Sequence, residues 1–253
     1  MLLEIKDLSK YFGGLTAVGN LDMHVDKGEI VGLIGPNGAG KTTVFNLITG
    51  FIHPSSGAVY FDSKDITGLK PHVIAKLGIG RTFQLNPLFG EYTVLENVIA
   101  SFFLHPKSSL WTAFFNTSTY RKNERYVAEH ALAILELLGL DKAKDDLAKN
   151  LPHGYQKMLG IGRALATKPN LLLLDEPLGG MNGDEIEFAM GVIDKVRRQG
   201  ITILLVEHNM QIMDIVDRVV VINFGQKICE GTIDEVRENN EVAEAYFGIE
   251  DPA

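Results

Sequence analysis

Three short groups of polar residues in this chain have the types and the spacing that phosphate chemistry needs. Residues 35–42 read Gly-Pro-Asn-Gly-Ala-Gly-Lys-Thr and fit the pattern G-x-x-x-x-G-K-[ST] of a phosphate-binding loop. Asp175 and Glu176 follow a run of four leucines, and His208 comes shortly after a second apolar run. A lysine, two carboxylates and an imidazole can together bind a polyphosphate and activate water for its hydrolysis.

The glycine-rich loop lies between an apolar run, Ile30 to Ile34, and a segment with helical character, Lys41 to Thr49. Glycines let the backbone curl so that successive N–H groups point at one anion, and the helix N-terminus adds its dipole. We expect Lys41 to reach the β- and γ-phosphates and the Thr42 hydroxyl to help hold Mg²⁺. A glycine-rich turn without a ligand is the alternative. The predicted nucleotide contacts of this loop are Asn37, Gly38, Ala39, Gly40, Lys41, Thr42 and Thr43.

The leucine run Leu171 to Leu174 predicts a central strand that is buried on both faces and ends in two carboxylates. Asp175 is then placed to hold Mg²⁺ through water, and Glu176 to act as the general base on the attacking water. A polar strand end without a catalytic role is the alternative interpretation.

A second buried strand, Ile201 to Val206, ends just before Glu207 and His208. Because adjacent parallel strands end at one crevice, we expect His208 to contact the γ-phosphate or its attacking water. Gln84, at the end of the predicted strand Gly78 to Gln84, offers an amide that can ligate Mg²⁺ and sense the γ-phosphate. Lys41, Gln84, Glu176 and His208 form the predicted catalytic set.

An aromatic residue ahead of the phosphate loop is a candidate platform for a nucleobase. Phe12 precedes Gly13 and Gly14, and Tyr11 is the competing candidate. A core aromatic is the alternative role for Phe12. Val18, a few residues further on, is predicted to belong to the same nucleotide-binding set.

Composition and charge argue against several classes of function. The 253 residues carry a net charge of −8 and a single cysteine, Cys229. The acidic balance argues against a nucleic-acid partner, and one cysteine cannot form an internal disulfide. No run approaches the ~18 apolar residues of a membrane span, and the acidic start does not fit a signal peptide. We therefore expect a soluble, cytosolic chain that could still dock on a membrane protein.

The remaining sequence alternates between strand and helix patterns. Apolar clusters predict strands at 2–5, 20–25 and 58–61, and a hairpin at 218–230. Apolar residues at helical spacing predict helices at 94–103, 124–138 and 184–198, the last as a crossover between two buried strands. The fold class is therefore α/β, with a nucleotide-binding core at 1–84 and 160–253 and a helical insert at 85–159.

With the loop at 35–42, Gln84, the Asp175–Glu176 pair and His208 in this order, the chain resembles an ABC-transporter ATP-binding subunit over nearly its whole length. The resemblance implies one ABC ATPase domain: a P-loop NTPase core with a mostly parallel sheet, an antiparallel β subdomain and a helical subdomain. It also implies ATP and Mg²⁺ as ligands. Its partners would be integral-membrane permease subunits and a second ATP-binding subunit, with ATP sandwiched in a homo- or heterodimer.

The family's signature loop, commonly L-S-G-G-Q, corresponds here to Leu151-Pro-His-Gly-Tyr-Gln156. In the family this loop of one subunit caps the γ-phosphate bound to the other, which makes Pro152, His153 and Gly154 predicted nucleotide contacts. Pro152 lacks both a hydroxyl and an N–H. We expect hydrolysis to be retained but slower, and the alternative is a degenerate subunit that needs a partner with a better signature loop.

Within the family, the chain resembles the ATP-binding subunits of branched-chain amino-acid importers. The shared features are residues 12–18, the longer helical insert at 105–123, the Pro-x-x-Gly-[Leu/Met]-Asn pattern that includes Asn182, and the tail at 206–248. This implies uptake of hydrophobic amino acids, an indirect relation to a solute-binding protein, and a position on the cytoplasmic face of the inner membrane. Related systems for urea uptake or lipopolysaccharide export are the alternatives.

Two other expectations follow. Residues 85–92, with Leu85, Leu88 and Phe89, are predicted to dock a membrane-subunit helix, and an ordinary surface loop is the alternative. ABC ATPases that act as soluble switches form a rival class, but they commonly have paired domains, coiled coils or basic surfaces, and none of these is visible here. A nucleotide-binding module without turnover is disfavoured by the intact Asp175, Glu176 and His208.

Overall fold

The computed structural model describes residues 1–83, 88–102, 118–207, 212 and 214–247. Ten strands occur in these ranges: β1 (Leu3–Phe12), β2 (Leu15–Val25), β3 (Ile30–Ile34), β4 (Ser56–Phe61), β5 (Lys64–Asp65), β6 (Ile79–Arg81), β7 (Leu171–Asp175), β8 (Thr202–Val206), β9 (Arg218–Asn223) and β10 (Gln226–Gly231). The same ranges contain eight α-helices: α1 (Lys41–Ile48), α2 (Pro71–Leu77), α3 (Val94–Ser101), α4 (Ser118–Leu137), α5 (His153–Ala166), α6 (Gly183–Arg198), α7 (Ile233–Arg237) and α8 (Asn240–Phe247).

The strands form two sheets, and the larger one carries the candidate site. Its order is β10-β9-β3-β8-β7-β6, with parallel pairing throughout except for the β9–β10 hairpin. Every residue of β3, β7 and β8 is buried, as the continuous apolar runs predict for strands covered on both faces. The smaller sheet has the order β2-β1-β4-β5 and is antiparallel. The predicted α/β class with a mostly parallel sheet and an antiparallel β part is confirmed.

The first two strands are longer than their apolar clusters predict. Residues 2–5 and 20–25 were expected as short strands, whereas β1 and β2 form a long hairpin with Gly13 and Gly14 at its turn. Exposed residues recur along both strands because this sheet faces solvent on one side. Backbone pairing therefore extends through polar and glycine residues, where the sequence pattern gives little signal.

The predicted helices are present with shifted ends. Helix α3 begins where Thr93 and Glu96 form a capping box, and it ends two residues before the predicted limit. Helix α4 begins at Ser118 rather than at 124, and its apolar face at Ala131 and Leu135 is fully buried as predicted. Helix α6 begins at a second capping box, formed by Asn182 and Glu185.

Two apolar clusters lie on opposite faces of the large sheet. One joins residues of α3 to α6 with alternate side chains of the central strands, and the other joins α1 and the antiparallel sheet. This arrangement fixes the carboxyl ends of β3, β7 and β8 along one edge. Within the described ranges, no helix combines the length and the apolar character needed to cross a lipid bilayer.

Candidate functional site

The phosphate-binding pattern forms a tight loop between β3 and α1. Gly38 and Gly40 have φ values of +81° and +103°, which favour glycine. A Cβ on Gly40 would lie 2.4 Å from the carbonyl oxygen of Ala17, so this glycine permits close packing against β2. A Cβ on Gly38 would meet no heavy atom within 4 Å, so that side of the loop is open to a ligand.

The Lys41 side chain lies inside this loop. Its Nζ donates to the carbonyl oxygens of Gly35 at 2.6 Å and Pro36 at 2.9 Å. Burial lowers the Lys41 pKa, and the charges of Glu176 and Asp175 oppose that shift. The ammonium group is thus held at the centre of the loop, near both carboxylates, where it can pair with an incoming phosphate.

The hairpin turn between β9 and β10 braces the phosphate loop. The backbone N–H of Gly225, between β9 and β10, donates to the Ala39 carbonyl oxygen at 2.9 Å. The Gly225 carbonyl oxygen in turn accepts from the Gly19 N–H of β2 at 2.8 Å. The loop is therefore fixed from two sides, which preorganises its backbone for an anion. The sequence did not predict this brace.

The predicted carboxylates lie at the end of β7. In the sheet, β8 lies between β7 and β3, the strand that leads into the phosphate loop. Asp175 is buried and pairs in register with Val206. The Glu176 N–H donates to the Val206 carbonyl oxygen at 2.9 Å, which extends the pairing by one residue. Glu176 has φ +48°, a conformation that costs a non-glycine residue energy and often marks a functional position.

Two cations near these carboxylates were missed from the sequence. Arg81, at the end of β6, forms a buried ion pair with Asp175 at 3.0 Å. Lys157, on α5, donates to the Glu176 carbonyl oxygen at 2.6 Å, and its burial lowers its pKa. The only available signal was the presence of Arg81 in the Arg-Thr-Phe-Gln motif that also holds Gln84.

The signature-loop residues lie at the start of α5. Pro152 is the N-cap residue, and no side chain caps this helix end. Pro152 and His153 are exposed, whereas Gly154 is buried against the Glu185 carboxylate of α6. A Cβ on Gly180 would lie 3.1 Å from the His153 ring, so this corner contacts the segment that follows Glu176.

The remaining predicted contacts lie on α1, β1 and β2, near the loop. Thr42 is exposed and Thr43 half-buried in the first turn of α1, next to Lys41. Phe12 is half exposed at the end of β1, with the Lys10 Nζ 5.0 Å from its ring centre, so a core role is not observed. The Val18 side chain is fully buried in the apolar core beside the loop.

Two predicted site residues, Gln84 and His208, lie outside the described residues. The predicted docking segment at 85–92 is described only from Leu88 onward. There the rings of Phe89 and Tyr92 are 5.4 Å apart, and the Arg163 guanidinium lies 4.8 Å from the Phe89 ring centre.

The described groups together fit a polyphosphate and a divalent cation. The loop offers backbone N–H groups, a helix N-terminus and a central ammonium, and Asp175 and Thr42 offer the oxygen ligands that Mg²⁺ prefers. Glu176 adds a half-buried carboxylate at the same sheet edge. This set can bind a nucleoside triphosphate and activate water against its terminal phosphoryl group.

The comparison with protein families agrees with this arrangement. Residues 18–179, which include the phosphate loop and both carboxylates, match the model of the ABC transporter family. The chain belongs to the ABC transporter family. The prediction that it is the ATP-binding, ATP-hydrolysing subunit of such a transporter is confirmed, and so is the predicted resemblance.

Relatives match the chain from end to end. It is 40% identical over 249 residues to the high-affinity branched-chain amino acid transport ATP-binding protein BraF of Pseudomonas aeruginosa, with 98% of each chain covered. A solved ADP conformation of an ATP-binding cassette of an ABC transporter is 37% identical, with a TM-score of 0.84 and 98% of each chain covered. A dimeric cassette in a post-hydrolysis state, bound to ADP and Pi, is 25% identical, with a TM-score of 0.79 over 91% of this chain and 98% of that one.

Proposed function

We propose that this ABC ATPase energises the uptake of branched-chain, hydrophobic amino acids. The observation that carries the ATPase part is the position of the phosphate loop and the Asp175–Glu176 pair on β3 and β7, joined through β8 at one sheet edge. The substrate class is supported by the 40% identity to a branched-chain amino acid transport ATP-binding protein over 98% of both chains.

ATP and Mg²⁺ are the ligands of this site in the proposal. The loop at 37–43 surrounds the phosphates and Lys41 neutralises their charge, while Phe12 contributes on the nucleoside side. Val18 is fully buried and supports the loop from the core. Thr42, Asp175 and Gln84 hold Mg²⁺, which would neutralise charge on the terminal phosphates. Glu176 accepts the proton of the attacking water, and His208 orients that water or the γ-phosphate.

Two such subunits pair head to tail in the proposal, with Pro152, His153 and Gly154 of each facing the ATP held by the other. Support comes from the N-terminus of α5, where Pro152 and His153 are exposed and the helix dipole can meet a phosphate. The dimeric cassette that resembles this chain adds to it. Because the triphosphate is gripped from both sides only in the closed pair, ATP favours closure and hydrolysis favours opening.

Integral-membrane permease subunits convert this cycle into transport, which places the chain on the cytoplasmic face of the inner membrane. A solute-binding protein delivers the amino acid without touching this subunit. We further propose the division into a core, 1–84 and 160–253, and a helical subdomain, 85–159. The packing of α3 against α4 and α5 supports that division.

Reconstitution with the permease subunits of a branched-chain amino-acid importer tests the proposal. Proteoliposomes should accumulate leucine, isoleucine and valine when ATP is supplied, and ATP turnover should rise when the loaded solute-binding protein is added. Uptake of urea in place of these amino acids would reject the proposed substrate class. If the chain binds no detergent-extracted membrane protein, the transport role is rejected. The subunit alone, measured in parallel, reports whether its divergent signature loop supports turnover.

A further inference from the structure

Arg81 contacts the proposed magnesium ligand Asp175 but has no role in the mechanism described above. Its Nη2 lies 3.0 Å from Oδ2 of Asp175, and both side chains are more than nine-tenths buried. A buried ion pair of this kind is costly to form unless its geometry is good, and breaking it leaves an uncompensated charge. Within the described ranges, the Arg81 guanidinium occupies Oδ2 of Asp175 and no donor contacts Oδ1, so Oδ1 is available for another ligand.

The same guanidinium is anchored to the phosphate-loop helix. Nη1 donates to the side-chain oxygens of Asn46 at 2.8 Å and Thr49 at 2.9 Å, both on α1 or at its end. The rings of Phe45, Phe51 and Phe83 surround it, with centres 4.9 to 5.8 Å away. The guanidinium is thus held by hydrogen bonds and by contact with three aromatic rings, which restricts its rotation.

The neighbouring residue holds the backbone of the same aspartate. The Asp175 N–H donates to the Thr82 hydroxyl at 3.1 Å, and the Thr82 N–H donates to the Leu173 carbonyl oxygen at 2.9 Å. Arg81 and Thr82 therefore constrain Asp175 at its side chain and its main chain. Since Arg81 also contacts α1, the carboxylate is fixed relative to the helix that carries Thr42.

We propose that Arg81 is a positioning residue that orients the Asp175 carboxylate toward the magnesium ion of the bound nucleotide. One carboxylate oxygen pairs with the guanidinium, and the other is left for the cation or its water. This inference rests on the proposed role of Asp175 in magnesium binding. It concerns only the placement of this carboxylate, and it assigns Arg81 no contact with nucleotide or metal.

The test compares ATP affinity with Mg²⁺ and with EDTA, by titration calorimetry on the whole chain. Arg81→Lys keeps the charge but loses the fork that bridges Asp175 and α1. The ratio of ATP affinity with Mg²⁺ to ATP affinity in EDTA should be about ten-fold smaller in this variant than in the wild type. Its affinity in EDTA should be unchanged. Arg163→Lys, the same exchange in a cavity that both arginines line, is the matched control and should keep the full magnesium effect.

The possible results distinguish the positioning role of Arg81 from the magnesium site itself. An equal loss with and without Mg²⁺, or a full magnesium effect in Arg81→Lys, overturns the inference. If the wild-type chain itself gains nothing from Mg²⁺, the proposed magnesium site fails instead. Should Arg81→Lys not fold, Asn46→Ala removes one anchor and leaves the ion pair intact. It should then reduce the magnesium effect to a smaller extent, and an unchanged effect would reject the positioning role.

Discussion

The carboxylate of Glu207 accepts a hydrogen bond from the backbone N–H of Leu178 at 2.7 Å, and both residues are buried. This bond connects the end of β8 to the segment that follows Glu176. The sequence drew attention to Glu207 only as the neighbour of His208. In the structure it links the two strand ends that carry the proposed base and the histidine.

Replacing Glu207 by alanine should therefore destabilise the fold. The Leu178 N–H would remain buried without its acceptor, which costs about 1–3 kcal/mol. Urea denaturation measures the change in the free energy of unfolding. Glu207→Gln keeps an acceptor oxygen and should cost less, while Glu187→Ala on the exposed face of α6 serves as the control. Equal stability of the alanine variant and the wild type would contradict this role.

Lys41→Ala should abolish ATP turnover. The substitution removes the ammonium from the centre of the loop and leaves the Gly35 and Pro36 carbonyl oxygens without their donor. Binding of a fluorescent ATP analogue and phosphate release are the measurements. Lys195→Ala, an exposed position on α6, should behave as wild type. Normal turnover in Lys41→Ala would reject the proposed role of the loop.

Glu176→Gln should bind ATP but hydrolyse it far more slowly, because the amide cannot accept the proton of the attacking water. The closed pair should then accumulate, so the mass from light scattering should double when ATP is added and stay doubled. Full-rate hydrolysis by this variant would show that another group is the base. An Asp184→Asn variant, in the exposed first turn of α6, controls for a lost carboxylate.

The backbone at residue 176 carries a cost that can be measured separately. Glu176 has φ +48°, which glycine adopts more easily than alanine. We expect the Glu176→Gly variant to be more stable than the Glu176→Ala variant by roughly 0.5–1 kcal/mol in the free energy of unfolding. Glycine relieves the backbone strain, and this gain outweighs the greater conformational freedom that glycine gives the unfolded chain. Thermal and urea unfolding of the two variants give the comparison. A less stable glycine variant would mean that this conformation carries no strain.

Pro152→Ser should increase both stability and turnover. A serine at this N-cap can accept a hydrogen bond from the first turn of α5, a contact that proline lacks, and N-cap hydroxyls contribute about 1 kcal/mol. In the proposed dimer the same hydroxyl would add a donor to the facing γ-phosphate. Melting temperature and steady-state ATP hydrolysis are the two readouts. A stabilised variant with unchanged turnover would remove the proposed contact with ATP while retaining the cap.

The central strands could be predicted because their signal is local. Ile30 to Ile34 and Leu171 to Leu174 are continuous apolar runs, and each is followed directly by residues with phosphate or metal chemistry. Burial on both faces requires such runs in a parallel sheet. The order of the polar residues along the chain was therefore enough to place the loop and the two carboxylates at one edge.

The supporting residues could not be predicted because their partners are distant in sequence. Arg81 meets Asp175, Lys157 meets Glu176, and Gly225 meets Ala39. Each contact depends on which strands and helices become neighbours, and a single buried arginine or lysine has no periodic signal. The short helix α2 was missed for a related reason, since seven residues with one buried position give no clear pattern.

The brace on the phosphate loop also has a consequence for biosynthesis. Strand β3 pairs with β8 and β9, and the Ala39 carbonyl oxygen accepts from the Gly225 N–H. All of these partners are synthesised long after the loop. A ribosome that adds 5–20 residues per second releases that turn roughly 10–40 s after the loop itself. Throughout this interval the nascent chain carries the nucleotide motif without the residues that brace it, so we expect the loop to bind ATP only after residue 225 has been synthesised.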